Sequence, residues 1–156
     1  MTSPIAGGVD CDLHPAVPHL TSLLPYMNDY WQDQVTTRGM TDLFSQSYPT
    51  NAPISSRPDW RPGQGKPGES LADMQKQVLD KFGTAYGICN PLYGVQMVFS
   101  EDMQDAFCRA LNDWLAREWL DKDARLRGSI VIPTQGVEKS VAESERCAKD
   151  KRFVQV

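Results

Sequence analysis

The chain has 156 residues, one domain at most or part of a larger one. Sixteen basic against twenty acidic side chains leave a net charge of −4, which argues against a surface built to neutralise the phosphates of a nucleic acid. No apolar run approaches the roughly 20 residues of a membrane span, and Met1–Val9 lacks the basic start and apolar stretch of a secretory signal, so a cytoplasmic protein with no nucleic-acid and no membrane partner is expected.

The first element is the alternating stretch GVDCDLH, residues 8–14. Val9, Cys11 and Leu13 fall on one face of a strand, and Asp10, Asp12 and His14 on the other. Val17 to Leu24 reads as one or two helical turns closed by Pro25. Tyr26 to Arg38 reads as a helix, with Met27, Tyr30 and Trp31 at i, i+3, i+4 and Gly39 as its C-cap. From Met40 to Glu69 the periodicity vanishes. Pro49, Pro53, Pro58, Pro62 and Pro67 interleave there with Gly63, Gly65 and Gly68. A loop this long within a domain is usually functional or disordered, and Tyr48, Ile54 and Trp60 inside it call for a surface to pack on.

Ser70 caps the next helix, with Asp73 at N3 and the stripe Leu71, Met74, Val78, Phe82 ending at Gly83. Tyr86 to Asn90 is a short buried strand. Ser100 caps a long helix with Glu101 and Asp102 in its first turn, where the macrodipole favours negative charge. Its apolar face is Met103, Phe107, Ala110, Leu111, Trp114 and Trp119, the two tryptophans being core or interface residues rather than a stacking platform. LRGSIVIP, residues 126–133, is the strongest strand signal, β-branched and stopped by proline. Val137 to Cys147 reads as a half-exposed helix whose stripe is Val137, Val141, Ser144 and Ala148. Phe153 to Val156 begins a further strand. Strands alternating with helices predict an α/β fold with a parallel sheet and right-handed crossovers. Cys11, Cys89, Cys108 and Cys147 show no C-x-x-C spacing and are expected to be reduced core thiols.

The chemistry concentrates on strand one. Carboxylates on the polar face of a buried strand are costly unless a cation or hydrogen bonds compensate them. In parallel sheets and barrels the active site lies at the carboxyl ends of the strands, where Asp12 and His14 fall two residues apart on one side. A D-x-H pair offers one oxygen and one imidazole nitrogen to a single ion, half of a zinc site. The same two residues could also simply form the turn into the next segment.

VDCDLHP at 9–15 resembles the first-strand motif of the amidohydrolase-related family, in which the strand ends in H-x-H, D-x-H or E-x-H, and more narrowly its aminocarboxymuconate-semialdehyde decarboxylase branch. LRGSIVIPTQ at 126–135, VEKSVAESER at 137–146 and KRFVQV at 151–156 are similar to that family's third strand, third helix and fourth strand. CNPLYG at 89–94 and NDWL at 112–115 also fit, so the resemblance covers essentially the whole chain. It implies parallel (β/α) units forming the N-terminal half of a (β/α)8 TIM barrel over residues 1–156, about four strands of eight, with a Pro-rich insertion at 40–69 after strand one. It also implies a divalent metal, zinc in most members, held by Asp12 and His14. The remaining ligands, histidines and an aspartate, would come from the second half, and His19 does not match them.

The resemblance further implies a metal-dependent hydrolase or non-oxidative decarboxylase of a small organic carboxylate, a class that includes aromatic acids. Asn90 and Gln135 follow strands two and three and so face the site as substrate-binding candidates. Arg38, Arg57 and Arg61 border or lie in the long loop and are candidates for the guanidinium fork a carboxylate needs. The chain ends inside a strand, so a fragment that is inactive alone is expected. The alternative is a non-catalytic fragment or pseudoenzyme that self-associates through the open edges of strands one and four, giving a homo-oligomer.

Overall fold

The structure, a computed structural model, describes residues 7–43 and 57–156. Four parallel strands form one sheet in the order β1 (Val9–Leu13), β2 (Tyr86–Cys89), β3 (Leu126–Ser129) and β4 (Phe153–Gln155). All three pairings are parallel. Sequential order with parallel neighbours is what consecutive right-handed β-α units produce, and it is the arrangement of a barrel wall.

The serine caps of two helices fall where the sequence places them. Among the described residues four α-helices separate the strands: α1 (Asp29–Thr37), α2 (Leu71–Met74), α3 (Glu101–Leu115) and α4 (Val137–Cys147). Ser70 Oγ accepts from the Asp73 amide at 3.2 Å, and Ser100 Oγ accepts from that of Met103 at 3.4 Å. α2 and α3 both widen at their C-terminal ends into π-helical turns, Gln75–Leu79 and Ala116–Leu120.

One face of the sheet packs on the helices. Leu13, Leu79 and Leu126 close around Gly87, where an added Cβ would collide with Leu13. Phe153 and Leu115 close in the same way around Gly128. The core continues into Leu20 and Leu23 of a 3-10 turn (Leu20–Tyr26) packed on α3, with Phe107, Leu111 and Trp119 behind them. Trp114 and Trp119 are both buried, with ring centroids 6.3 Å apart.

Five expectations are corrected. β1 is an edge strand of this sheet rather than a buried one, and Leu13 is its one buried residue. Cys11 is accordingly exposed, whereas Cys89, Cys108 and Cys147 are buried free thiols, each pushed up to about 12 chiefly by burial. Pro25 lies inside the 3-10 turn, and α1 starts only at Asp29 because Asn28 Oδ1 accepts from the Trp31 amide at 3.1 Å. β3 ends at Ser129 instead of running to Pro133. On α4, Val137 and Val141 face outward, and the buried residues are Glu143 and Cys147. That inversion is possible because Arg146 and Asn112 satisfy the Glu143 carboxylate at 2.7 Å each.

Candidate metal and carboxylate site

Leu13 sits opposite Cys89 in the β1–β2 ladder, and the Asn90 amide donates to the Leu13 carbonyl at 2.6 Å. This brings the Asn90 carbonyl to 2.9 Å from His14 Nδ1. A carbonyl oxygen only accepts, so Nδ1 carries a proton. Nε2 faces Asp12 Oδ2 at 3.3 Å. Asp12 in turn is steadied by its own amide, which donates to Asp10 Oδ1 at 3.1 Å.

If the imidazole carries that proton alone, two lone-pair atoms point at one another. Only a proton or a cation between them makes the contact attractive. Two donors on a tetrahedral zinc lie about 3.4 Å apart, given metal–ligand distances of about 2.1 Å. An imidazole whose other nitrogen donates to a backbone carbonyl is also the usual orientation of a metal-bound histidine. Asp12 and His14 therefore fit two adjacent ligands of a divalent ion. Among the described residues no group of three or more His, Cys, Asp or Glu converges.

Beside the pair lies an open cavity of about 660 Å³. Asp10, Asp12 and His14 form one wall, and Arg57, Trp60 and residues 64–70 with Met74, Val78 and Phe82 form the other. The described end of the long loop is thus folded against the carboxyl end of β1. Two contacts hold it there. The Ala16 amide donates to the Gly68 carbonyl at 3.0 Å, and Gly68 sits at φ +81 with no room for a Cβ against the His14 carbonyl. Lys66 Nζ reaches the Val17 carbonyl at 3.3 Å and Asp42 Oδ2 at 3.1 Å, 5.8 Å from the Tyr93 ring centroid. Tyr93 Oη closes the cluster by donating to Asp42 Oδ1 at 2.7 Å. Burial works to raise the Asp42 carboxyl, but the hydrogen bonds from Tyr93 and Lys66 outweigh it and hold the group below its ordinary range. Burial, then the adjoining Asp42 carboxylate, pushes the Tyr93 phenol far upward.

The expected substrate residues are dispersed. Arg57 lines the cavity, with its guanidinium on Asp59 at 3.0 and 2.8 Å and 4.9 Å from the Trp60 ring centroid. Trp60 packs edge-on against Phe82, with centroids 6.4 Å apart. Arg38 follows α1 and Arg61 follows the short 3-10 turn Pro58–Trp60; both are exposed and neither lines the cavity. Asn90 contributes its main chain, and exposed Gln135 donates to the Val98 carbonyl at 2.6 Å. His19 is exposed ahead of the first 3-10 turn. Tyr48 and Ile54 lie outside the described residues. Sequence reasoning passed over Asp42, Lys66 and Tyr93. The available signal was Lys66, the one lysine in 40–69, set between Gly65 and Pro67.

Residues 9–156 match the family model described as Amidohydrolase. No curated protein matches the chain significantly. Among solved structures, the 2,6-dihydroxybenzoate decarboxylase from Rhizobium superposes with a TM-score of 0.57 at 18% identity. The match covers 97% of this chain and 38% of that one, so the chain spans well under half of that enzyme's length. At that identity the likeness speaks for the fold, a four-stranded arc of an α/β barrel.

Proposed function

The chain belongs to the amidohydrolase family, and from that premise we propose that it supplies the first-strand half of a metal site in an enzyme that hydrolyses or non-oxidatively decarboxylates a small carboxylate. The observation that carries this reading is the His14–Asp12 pair, 3.3 Å apart with Nδ1 committed to the Asn90 carbonyl. The decarboxylase reading, in the aminocarboxymuconate-semialdehyde decarboxylase branch, draws on the VDCDLHP motif and on the fold shared with the Rhizobium enzyme.

A divalent ion, zinc in the first instance, would be held by Asp12 Oδ2 and His14 Nε2 and would polarise a bound carboxylate or water. The chain's own residues then have distinct tasks. Asn90 holds the imidazole proton on Nδ1 and so turns Nε2 towards Asp12. Asp10 orients Asp12 through the Asp12 amide. Arg57 is the arginine at the cavity, and a substrate carboxylate would compete with Asp59 for its fork. Residues 64–69 line the cavity on the side opposite Asp12 and His14. A catalytic zinc generally takes three protein ligands, so two make the chain alone a metal binder without turnover. Among the described residues no helix is long and apolar enough to cross a membrane.

The test is a zinc titration of the chain followed by NMR, with 2,6-dihydroxybenzoate as the probe carboxylate. Zinc should move the His14 ring resonances, and the probe should then bind beside it. Asp12→Ala and His14→Ala should each weaken zinc binding at least about tenfold, the usual size of a lost ligand or its support. Zinc affinity that is unchanged in either variant defeats the assignment.

A further inference from the structure

Helix α3 presents two amide side chains to the core, Gln104 and Asn112, both with no exposed surface. They stand eight residues apart, ~12 Å along the axis and on the same side of the helix. Met103, Phe107, Cys108, Leu111 and Leu115 surround them with apolar surface. Neither amide bonds to its own helix. Both are directed at main-chain atoms beyond the carboxyl ends of the strands.

Gln104 Nε2 donates to the Gln96 carbonyl at 3.0 Å and the Val98 carbonyl at 3.3 Å, while Oε1 accepts from the Thr134 amide at 2.8 Å. Gln96 and Val98 belong to the connection after β2, and Thr134 to the connection after β3. One side chain therefore stitches two loops together. Asn112 does the corresponding work at the end of β3. The Ile130 amide still bonds the Gln155 carbonyl of β4 at 2.8 Å. One residue later Val131 has turned to the helix: its amide donates to Asn112 Oδ1 and its carbonyl accepts from Nδ2, both at 2.9 Å. This double exchange reproduces the pairing of two antiparallel strand residues with a side chain as partner. Glu143 Oε1 accepts from the same Nδ2 at 2.7 Å. A carboxylate only accepts, so Glu143 fixes which way the Asn112 amide points.

An apolar residue at either position would fill the space. An amide adds direction, because its bonds are made at one loop position only. The connection after β2 begins at Asn90, whose carbonyl holds His14 Nδ1, and Gln104 ties down its far part at Gln96 and Val98. We propose that Gln104 and Asn112 are positioning residues of the site, setting the loops after β2 and β3 relative to His14. What they position rests on the metal-site reading above; the clamp itself does not.

Amide hydrogen exchange tests the clamp. In the unmodified chain the Val131 and Thr134 amides should be as slow as the Gly128 amide of β3, although both lie outside any strand. Fast exchange at either one overturns the clamp without any variant. In Gln104→Met the Thr134 amide should accelerate at least about 100-fold more than that of Gly128, the mark of local rather than global opening. Gln104→Glu keeps the acceptor but not the donors, so Thr134 should stay slow while residues 96–98 loosen. Asn112→Leu should release Val131 in the same selective way. Uniform acceleration across β3 in these variants means only lost stability and defeats the proposal.

The ring ¹⁵N shifts of His14 test positioning. Gln104→Met should move them away from the Nδ1–H form, whereas Leu111→Ala, a core truncation on the same helix, should not. If His14 keeps its tautomer in both clamp variants, the positioning claim falls. If the unmodified chain shows no response to zinc, the metal reading falls and the exchange result stands or falls by itself.

Discussion

The β1 margin and the α3–β3–α4 sector use polar side chains in opposite ways. At the margin, the Asp12 side chain is 68% exposed, and its partner His14 is held through a main-chain carbonyl. In the sector, Gln104, Asn112 and Glu143 are wholly buried and every strong bond they make is satisfied inside the protein. A carboxylate left partly in water keeps the freedom to exchange its partner for a ligand. A carboxylate sealed among guanidinium and amide donors has no such freedom, and its removal or isolation is felt by the whole fold. The difference separates residues whose loss should change binding from residues whose loss should change stability.

The largest effect should come from isolating Glu143. Arg146 gives it two hydrogen bonds at 2.7 Å and reaches Asp113 at 2.7 Å, whereas Arg109 stands at 3.6 Å. Burial alone would raise the Glu143 carboxyl; the bonds from Arg146 and Asn112 hold it below its ordinary range instead. Arg146→Met should therefore cost about 3 kcal/mol of unfolding free energy, the range for breaking a buried ion pair. Adding Glu143→Gln should restore part of that loss. A single-variant loss under about 1 kcal/mol, read from urea midpoints, would mean the sector tolerates a lone charge as the margin does.

An intermediate effect is expected where margin and interior meet, at Asp42. Its carboxyl lies below the ordinary value of 3.8 in the fold, so the unfolded chain takes up the proton first as pH falls. The stabilisation is complete above that value and is lost as pH drops through the lower folded one. Asp42→Asn should cost ~1 kcal/mol at pH 7, the usual worth of such hydrogen bonds. The gap to the unmodified chain should close as pH falls below 3.8. A gap that stays constant in acid would show that Lys66 and Tyr93 bind the loop without the Asp42 charge.

Much of the architecture is written in local signals. Ser70 and Ser100 cap because a hydroxyl there meets a free amide, and the alternation of strand and helix lengths forces a parallel sheet. What local signals lack is the identity of distant partners. Glu143 is buried because Arg146 and Asn112 reach it, so the apolar periodicity Val137–Val141 pointed to the wrong face. β3 ends early because Asn112, nineteen residues before Val131, competes for its backbone. At the site, the i, i+2 spacing of Asp12 and His14 does bring the two side chains together. The spacing could not say that Asn90 would act through its carbonyl, nor that Lys66 would cross to Asp42. Gln104 and Asn112 left one trace, two amides eight residues apart within an apolar helix face.

The smallest stability effect, and the sharpest separation of the two regions, is expected at Asp12. Its contact with His14 is an exposed pair at 3.3 Å, and pairs of that kind contribute about 0–1 kcal/mol. Asp12→Asn keeps the size of the side chain and leaves the hydrogen bond from the Asp12 amide to Asp10 in place, so the urea midpoint should shift by less than about 0.5 kcal/mol. An asparagine can no longer offer an anionic oxygen to a cation, so zinc binding should fall even though the fold is untouched. The two quantities should thus move in opposite proportion to those of Arg146→Met, which should unfold the chain more easily while any zinc bound to the folded fraction keeps its affinity. If Asp12→Asn instead costs more than about 1 kcal/mol, the carboxylate is a structural partner of His14 closing the edge of the sheet, and the turn-forming reading of D-x-H takes the place of the metal reading.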